Sequence, residues 1–342
     1  MTDPVPMRLT CPADLLALVP YVLGFHPEDS LVLCSLGAGG VHARVDLEPD
    51  PAALAAAVDA LSAAAARNRS GRVALVAYSD DHELSVEAVD RATLALGEHG
   101  VEVVEAIRAD GARVFALTGC GGPCCPAEGT PYDLGCHPYT AALVLEGRVS
   151  LASRQELAGT LVGEDPGSLA DVARAAEQAA ERLAAAARQP TGVGPGGIVR
   201  GARRHLVEEG HWVLRRVGRF LRTREPLDAD EAGRMVVALS SVEVRDVAWS
   251  QMTRVNAERH VDLWRDLLRR TPPALAAAPA ALLGFAAWLS GDGALAWCAV
   301  DRCQQAEPDY SMAALLTQAL AAALPPTTWT PFPPEELPLF AG

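Results

Sequence analysis

The stretch "FHPEDSLVLCSLGAGGVHARVDL", residues 25–47, decides the fold class. Residues 30–36 form a short apolar run of the length of a buried strand. Val41, Ala43, Val45 and Leu47 then alternate with polar residues, as a half-exposed strand does. The glycines between the two lie where a hairpin turn belongs. They lack the spacing of a Rossmann or Walker phosphate loop, and no such loop follows any other strand candidate.

Outward from this pair, helices and strands alternate. "PADLLALVPYVL" opens on Pro12 and places Leu15, Leu16, Val19 and Val22 at helical spacing, with Pro20 requiring a bend or a division into two short helices. "DPAALAAAVDALSAAAARN" has Asp50 as cap and Pro51 at its first position. "RVALVAYS" is a strand, "LSVEAVDRATLALGEHG" a helix closed by Gly100, and "VEVVEAIRAD" and "RVFAL" two strands joined at Asp110-Gly111. This order predicts an α/β N-terminal half with a mainly parallel or mixed layered sheet, followed by an all-helical C-terminal half. The expected divisions are an α/β domain over 1–150, a helical connection and Gly/Pro-rich linker over 151–195, a helical domain over 196–325 and a proline-rich tail over 326–342.

His26, Glu28 and Asp29 are residue types that exchange protons near neutral pH, and they are candidate catalytic groups. Against that role, ligand loops of open α/β sheets follow the carboxyl ends of strands, and this loop precedes one. Pro27 and Asp29 also suit a rigid entry turn.

"CGGPCCPAEGTPYDLGCHPY" follows the strand "RVFAL" and gathers Cys120, Cys124, Cys125, Cys136 and His137. Four of these could surround a structural zinc, although neighbouring residues such as Cys124 and Cys125 do not readily share one ion. Cys124 or Cys125 paired with His137 is a candidate nucleophile. A disulfide from Cys120 to Cys124 or Cys125, or a packed loop of small apolar thiols, are the other readings. No cofactor besides this zinc is expected.

The helical half carries "ARRHLVEEGHWVLRRVGRFLRTRE", with Val213, Leu214, Val217, Phe220 and Leu221 on one face and Arg215, Arg216, Arg219 and Arg222 mainly on a solvated one. Arg245, Asp246 and Trp249 stand together as potential ligand groups. Near the end, Gly284, Ala296, Cys303 and Pro308 take the small-residue and proline positions of a single tetratricopeptide-like hairpin, with Asp292 capping its second helix. Trp288 and Trp297 read as core. Trp329 or Phe332 is expected to dock the proline-rich tail.

The 342 residues carry a formal charge of -14, and all 29 basic residues are arginine. Net acidity disfavours nucleic acid as a partner. The N-terminus lacks the pattern of a signal peptide and no apolar run is long enough to span a membrane, so a cytoplasmic protein is expected.

The stretches "PADLLALVPYVLGFHPEDSLVL", "CCPAEGTPYD" and "LLGFAAWLSGDGALAWCAVDRCQQAEPDYSMAALL" resemble the actinobacterial family of unknown function numbered 4192. The resemblance runs nearly from end to end. It implies a bacterial cytosolic protein, carries no catalytic residue over, and marks residues 26–30, Cys124-Cys125-Pro126 and Gly291-Asp292-Gly293 as parts of the family pattern. The stretch "CGGP" before the double cysteine is one residue shorter than the usual family form, which counts against a fixed four-ligand metal site.

Two classes of function follow. A binding or scaffolding protein, with an unknown protein or a small anionic molecule as partner, predicts a groove of apolar and arginine side chains without a converging acid–base pair. A hydrolase or transferase acting on a small anionic substrate predicts His26, or a Cys124 or Cys125 thiol, within reach of a partner in a pocket.

Overall fold

The computed structural model describes residues 9–37, 40–118, 125–145, 149–188 and 195–340. The chain forms two compact units, Met1–Glu156 with Ala321–Pro325, and Leu157–Leu320 with Pro326–Gly342.

The first unit is built on a six-stranded sheet. Helix α1 (Pro12–Leu23) comes first and runs through Pro20 as one helix, ended by Gly24 at φ +78°. Strands β1 (Ser30–Ser35) and β2 (His42–Asp46) follow, then α2 (Pro51–Arg67), β3 (Arg72–Tyr78), α3 (His82–Glu98), β4 (Glu102–Ala109), β5 (Arg113–Ala116), β6 (Thr130–Pro131), α4 (Pro138–Leu145) and α5 (Arg154–Gly159). Asp50 caps α2 as the sequence announced, accepting from the Ala53 N–H at 2.8 Å, and Asp81 caps α3 through the Leu84 N–H at 3.0 Å.

The strand order is β2-β1-β3-β4-β5-β6. Only β3 and β4 pair in parallel, across the α3 crossover, while β1 runs antiparallel to both of its neighbours. The sheet is therefore mixed. Leu31, Leu33, Leu75, Ala77 and Ala106 on one face pack with Leu54, Val58 and Leu61 of α2 and Val89, Ala92 and Leu96 of α3. Val32, Cys34, Val76 and Ile107, which alternate with them, are just as buried, so both faces are covered.

The second unit is helical: α6 (Pro166–Arg188), α7 (Pro195–Thr223), α8 (Ala229–Ala238), α9 (Val242–Ser250), α10 (Ala257–Arg270), α11 (Ala277–Ser290), α12 (Gly293–Ala306) and α13 (Ser311–Ala321, its last residue counted with the first unit). Small residues set its closest crossings. A Cβ added at Gly233 of α8 would lie 2.5 Å from the Ala175 side chain and from the Ala176 backbone nitrogen of α6. At Gly284 of α11 it would lie 3.4 Å from the Ala296 carbonyl of α12. Gly291 (φ +90°) closes α11, and Asp292 caps α12 through the Leu295 N–H at 2.9 Å. Among the described residues, no helix is long and apolar enough to cross a membrane.

One arginine departs from the expected solvated face of α7. Arg216 is buried, donating to the Glu225 and Pro226 carbonyls at 3.2 and 2.8 Å and pairing with Glu231 at 2.8 Å. The turn after α7 leaves carbonyls pointing inward, and a guanidinium satisfies several of them at once. Arg219, by contrast, pairs with Glu225 in solvent.

Candidate functional site

The antiparallel direction of β1 moves the His26 loop. Ser30, at the start of β1, lies opposite Tyr78, at the end of β3, which pairs with Ala109, at the end of β4. The loop before β1 therefore shares the carboxyl edge of the parallel pair, the edge from which its place in the sequence had seemed to exclude it. A strand that enters from the opposite end brings its leading loop to that edge.

At that edge the loop is held by its backbone. The His26 N–H donates to the Leu151 carbonyl at 2.9 Å, and the Asp29 carbonyl accepts from the Leu47 N–H at 2.8 Å. The Glu28 carbonyl accepts from the Ser30 hydroxyl and from Arg44, whose Nε also donates to that hydroxyl at 2.7 Å. Asp29 adopts φ +40°, a conformation that asparagine and aspartate tolerate best after glycine. The side chains of His26, Glu28 and Asp29 point outward, and His26 Nε2 lies 3.4 Å from the Ser150 hydroxyl.

Of the cysteine-loop candidates, Cys120 and Cys124 lie outside the described residues. Cys125 is half-buried and Cys136 exposed. His137 is engaged at both ring nitrogens: Nδ1 accepts from the Tyr139 N–H at 3.2 Å, and Nε2 lies 3.2 Å from Asp14 Oδ1. The neutral Nε2–H tautomer satisfies both contacts and leaves no lone pair for a metal or a thiol proton. Asp14 in turn accepts from the Thr10 N–H (2.6 Å), the Thr10 hydroxyl (2.8 Å) and the Cys11 N–H (3.1 Å). Burial alone would raise its pKa, but these hydrogen bonds and His137 together hold it below the ordinary carboxylate value. The His137 side chain thereby ties α4 to the start of α1. Among the described residues, no three His, Cys, Asp or Glu side chains gather as a metal would require.

Two clefts stand out in the helical unit. The larger, about 400 Å³, lies among α6, α7 and α8. Its central charges are spent on one another. Arg234 grips Glu209 through two hydrogen bonds of 3.0 and 2.9 Å and lies 4.2 Å over the Trp212 ring, while His205 stands 3.8 Å from Glu209, beyond hydrogen-bond reach.

The smaller cleft, about 190 Å³, is lined by Arg245 and Trp249 of α9, Phe285 and Trp288 of α11, Met312, Leu315 and Leu316 of α13, and the tail residue Trp329. Trp329 stacks on Trp249 with ring centres 5.2 Å apart at 25° and meets Phe285 edge-on at 4.8 Å. Its indole N–H donates to the Met252 carbonyl at 3.0 Å. Phe332 closes on both tryptophans, at 5.6 Å from Trp249 and 5.7 Å from Trp329.

Arg245 is the polar centre of this wall and is 5% exposed. Its Nε and NH2 both donate to Asp246 Oδ1, at 3.0 and 2.6 Å. Burial opposes its charge, but side-chain hydrogen bonding to Tyr310 and to Asp246 more than offsets this and raises its pKa; the Tyr310 ring centre lies 5.5 Å from the guanidinium carbon. NH1 has no acceptor in hydrogen-bond geometry among the described residues, and neither does the indole N–H of Trp249. Leaving a buried donor unmade costs about 1–3 kcal/mol, so two on one wall are a considerable concession in a folded protein.

Sequence reasoning had named Arg245, Asp246 and Trp249 and had foreseen the docking of Trp329 and Phe332. It had placed Trp288 in the core, where it is buried and also lines the cleft. The convergence of α9, α11, α13 and the tail was not visible, because their contributions lie far apart in the chain. No curated protein and no solved structure matches the chain. The family model described as a domain of unknown function, DUF4192, matches residues 12–327, and the chain belongs to that family.

Proposed function

We propose that the protein is a binding protein and that its helical unit takes a ring-sized, largely apolar small molecule in the cleft between α9, α11, α13 and the Trp329 segment. The supporting observation is the composition of that wall: four aromatic rings and three aliphatic side chains around one buried arginine. This is the apolar-and-arginine groove that a binding function calls for. A volume of about 190 Å³ is room for about six waters at ~30 Å³ each, and a cavity of ~150 Å³ holds benzene. The occupant is then a single ring with a short substituent rather than a peptide.

All six tryptophans, at 212, 249, 264, 288, 297 and 329, lie in the helical unit, and three of them line the cleft. Titration of the full chain with toluene and with anisole, followed by tryptophan emission excited at wavelengths only tryptophan absorbs and by the midpoint of thermal unfolding, tests the proposal. Saturable quenching with a rising midpoint is expected, since a ligand at a hundred times its Kd adds about 2.7 kcal/mol to stability. A linear, unsaturated response to both probes up to millimolar concentration, with no shift in midpoint, overturns it.

A further inference from the structure

Arg245 and Trp249 are four residues apart on α9, so their side chains rise from the same helical face, and both line the aromatic cleft. Each carries one buried N–H donor, Arg245 NH1 and Trp249 Nε1, without an acceptor among the described residues. Other buried donors among the described residues also lack an acceptor, on Arg216 and Trp264 for instance; these two are set apart by belonging to residues that line the same cleft. The charge at the site is already balanced, because Asp246 takes two hydrogen bonds from the same guanidinium. A ligand carboxylate would add a negative charge that no second cation on the wall compensates, since the remaining polar lining is the hydroxyls of Ser311 and Thr328. A carbonyl oxygen offers two lone pairs and no net charge, so it can accept from both donors.

We infer that the cleft takes a neutral ring compound bearing a carbonyl group, such as an aryl amide, lactam or ketone, whose oxygen accepts from Arg245 NH1 and Trp249 Nε1. This rests on the cleft being the binding site, as proposed above, and narrows its ligand from a largely apolar ring compound to one that carries a neutral acceptor. Entry has a structural counterpart. Both donors are closed to solvent, and Trp329 covers Trp249 by stacking, tied down by its one indole hydrogen bond to Met252. Displacing the Trp329 segment is the route by which the ligand reaches the donors.

The test compares matched probes on the full chain at pH 7.5, with calorimetry and tryptophan emission as readouts: benzamide, benzoate and ethylbenzene, which share a ring and differ in the acceptor. Benzamide is expected to bind at least tenfold more tightly than either of the others, and to change Trp329 emission as it binds. Trp249→Phe, which removes the N–H and leaves a smaller aromatic ring in the wall, should weaken benzamide about tenfold more than it weakens ethylbenzene. Benzoate binding as tightly as benzamide overturns the neutral-acceptor inference while the cleft reading stands, as does an equal effect of Trp249→Phe on all three probes. Binding of none of them takes both down. Arg245→Met leaves Asp246 unpaired and risks misfolding, so Trp249→Phe is the decisive variant.

Discussion

Acidification should loosen the helical unit through His260. This residue of α10 is fully buried. Its Nε2 lies 3.3 Å from the Gln251 carbonyl, which makes it the donor, and Nδ1 keeps a bare lone pair with no partner among the described residues. Burial pushes its pKa down to about 4, with the Gln251 carbonyl pulling weakly the other way. In the unfolded chain the imidazole takes up its proton near pH 6.5. The contribution of neutral His260 is thus fully present above that pH and is lost as the pH falls from about 6.5 toward 4, where the unfolded state binds a proton that the native state refuses. Between pH 7.5 and pH 4.5 this amounts to about 2–3 kcal/mol. Asp292 works in the opposite sense, because burial holds its carboxyl above the ordinary value and the native state takes up that proton first. Urea unfolding followed by tryptophan emission reads the helical unit alone. The wild-type protein should lose stability across this range, and His260→Gln, which keeps a donor for Gln251 without a titration, should lose about 2–3 kcal/mol less. If His260→Gln shows the same loss as the wild type between the two pH values, the reasoning is wrong.

Three further outcomes follow from the packing. Gly233→Ala sets a Cβ against the α6 backbone and should cost about 3 kcal/mol or more in a chemical-denaturation midpoint, whereas Gly284→Ala, with ordinary contacts at 3.4 Å, should cost less than about 1.5 kcal/mol. Asp14→Ala removes three accepted hydrogen bonds and the contact to His137, and should destabilise the α/β unit by about 2 kcal/mol. Hydrogen exchange over residues 10–23 would show it as faster amide exchange. Because Asp14 titrates below its ordinary pKa, its stabilising contribution is present above about pH 4 and declines as the pH falls through the lowered value, so wild type and variant should converge in acid.

Much of the architecture was legible because local chemistry dictated it. Asp50 followed by Pro51, Gly24, Gly100 and Gly291 after apolar stretches, and the Asp110-Gly111 turn each mark an element boundary by the conformation or hydrogen bond they supply. Strand direction was not legible. The run at residues 30–36 reads equally as a parallel or an antiparallel strand, because burial on both faces erases the alternation that would tell them apart. That one ambiguity misplaced the His26 loop with respect to the ligand edge. Arg216 was misread for a related reason: its position on the helix wheel is polar, and only the inward carbonyls of the following turn call a guanidinium inside. The cleft was half legible. Its individual residues drew notice, but four segments separated by up to 84 residues had to fold before they shared a wall.

The five residues Ala321–Pro325 belong to the α/β unit, where the Asn68 side-chain amide donates to the Ala323 carbonyl at 2.9 Å. The chain therefore passes between units at residues 156–157, again at 320–321, and once more at 325–326. A gene cut at codon 156 would give the first half without its borrowed segment and the second half with that segment stranded. The two units cannot be traded as cassettes by a single recombination. The family match likewise spans both units, from residue 12 to residue 327.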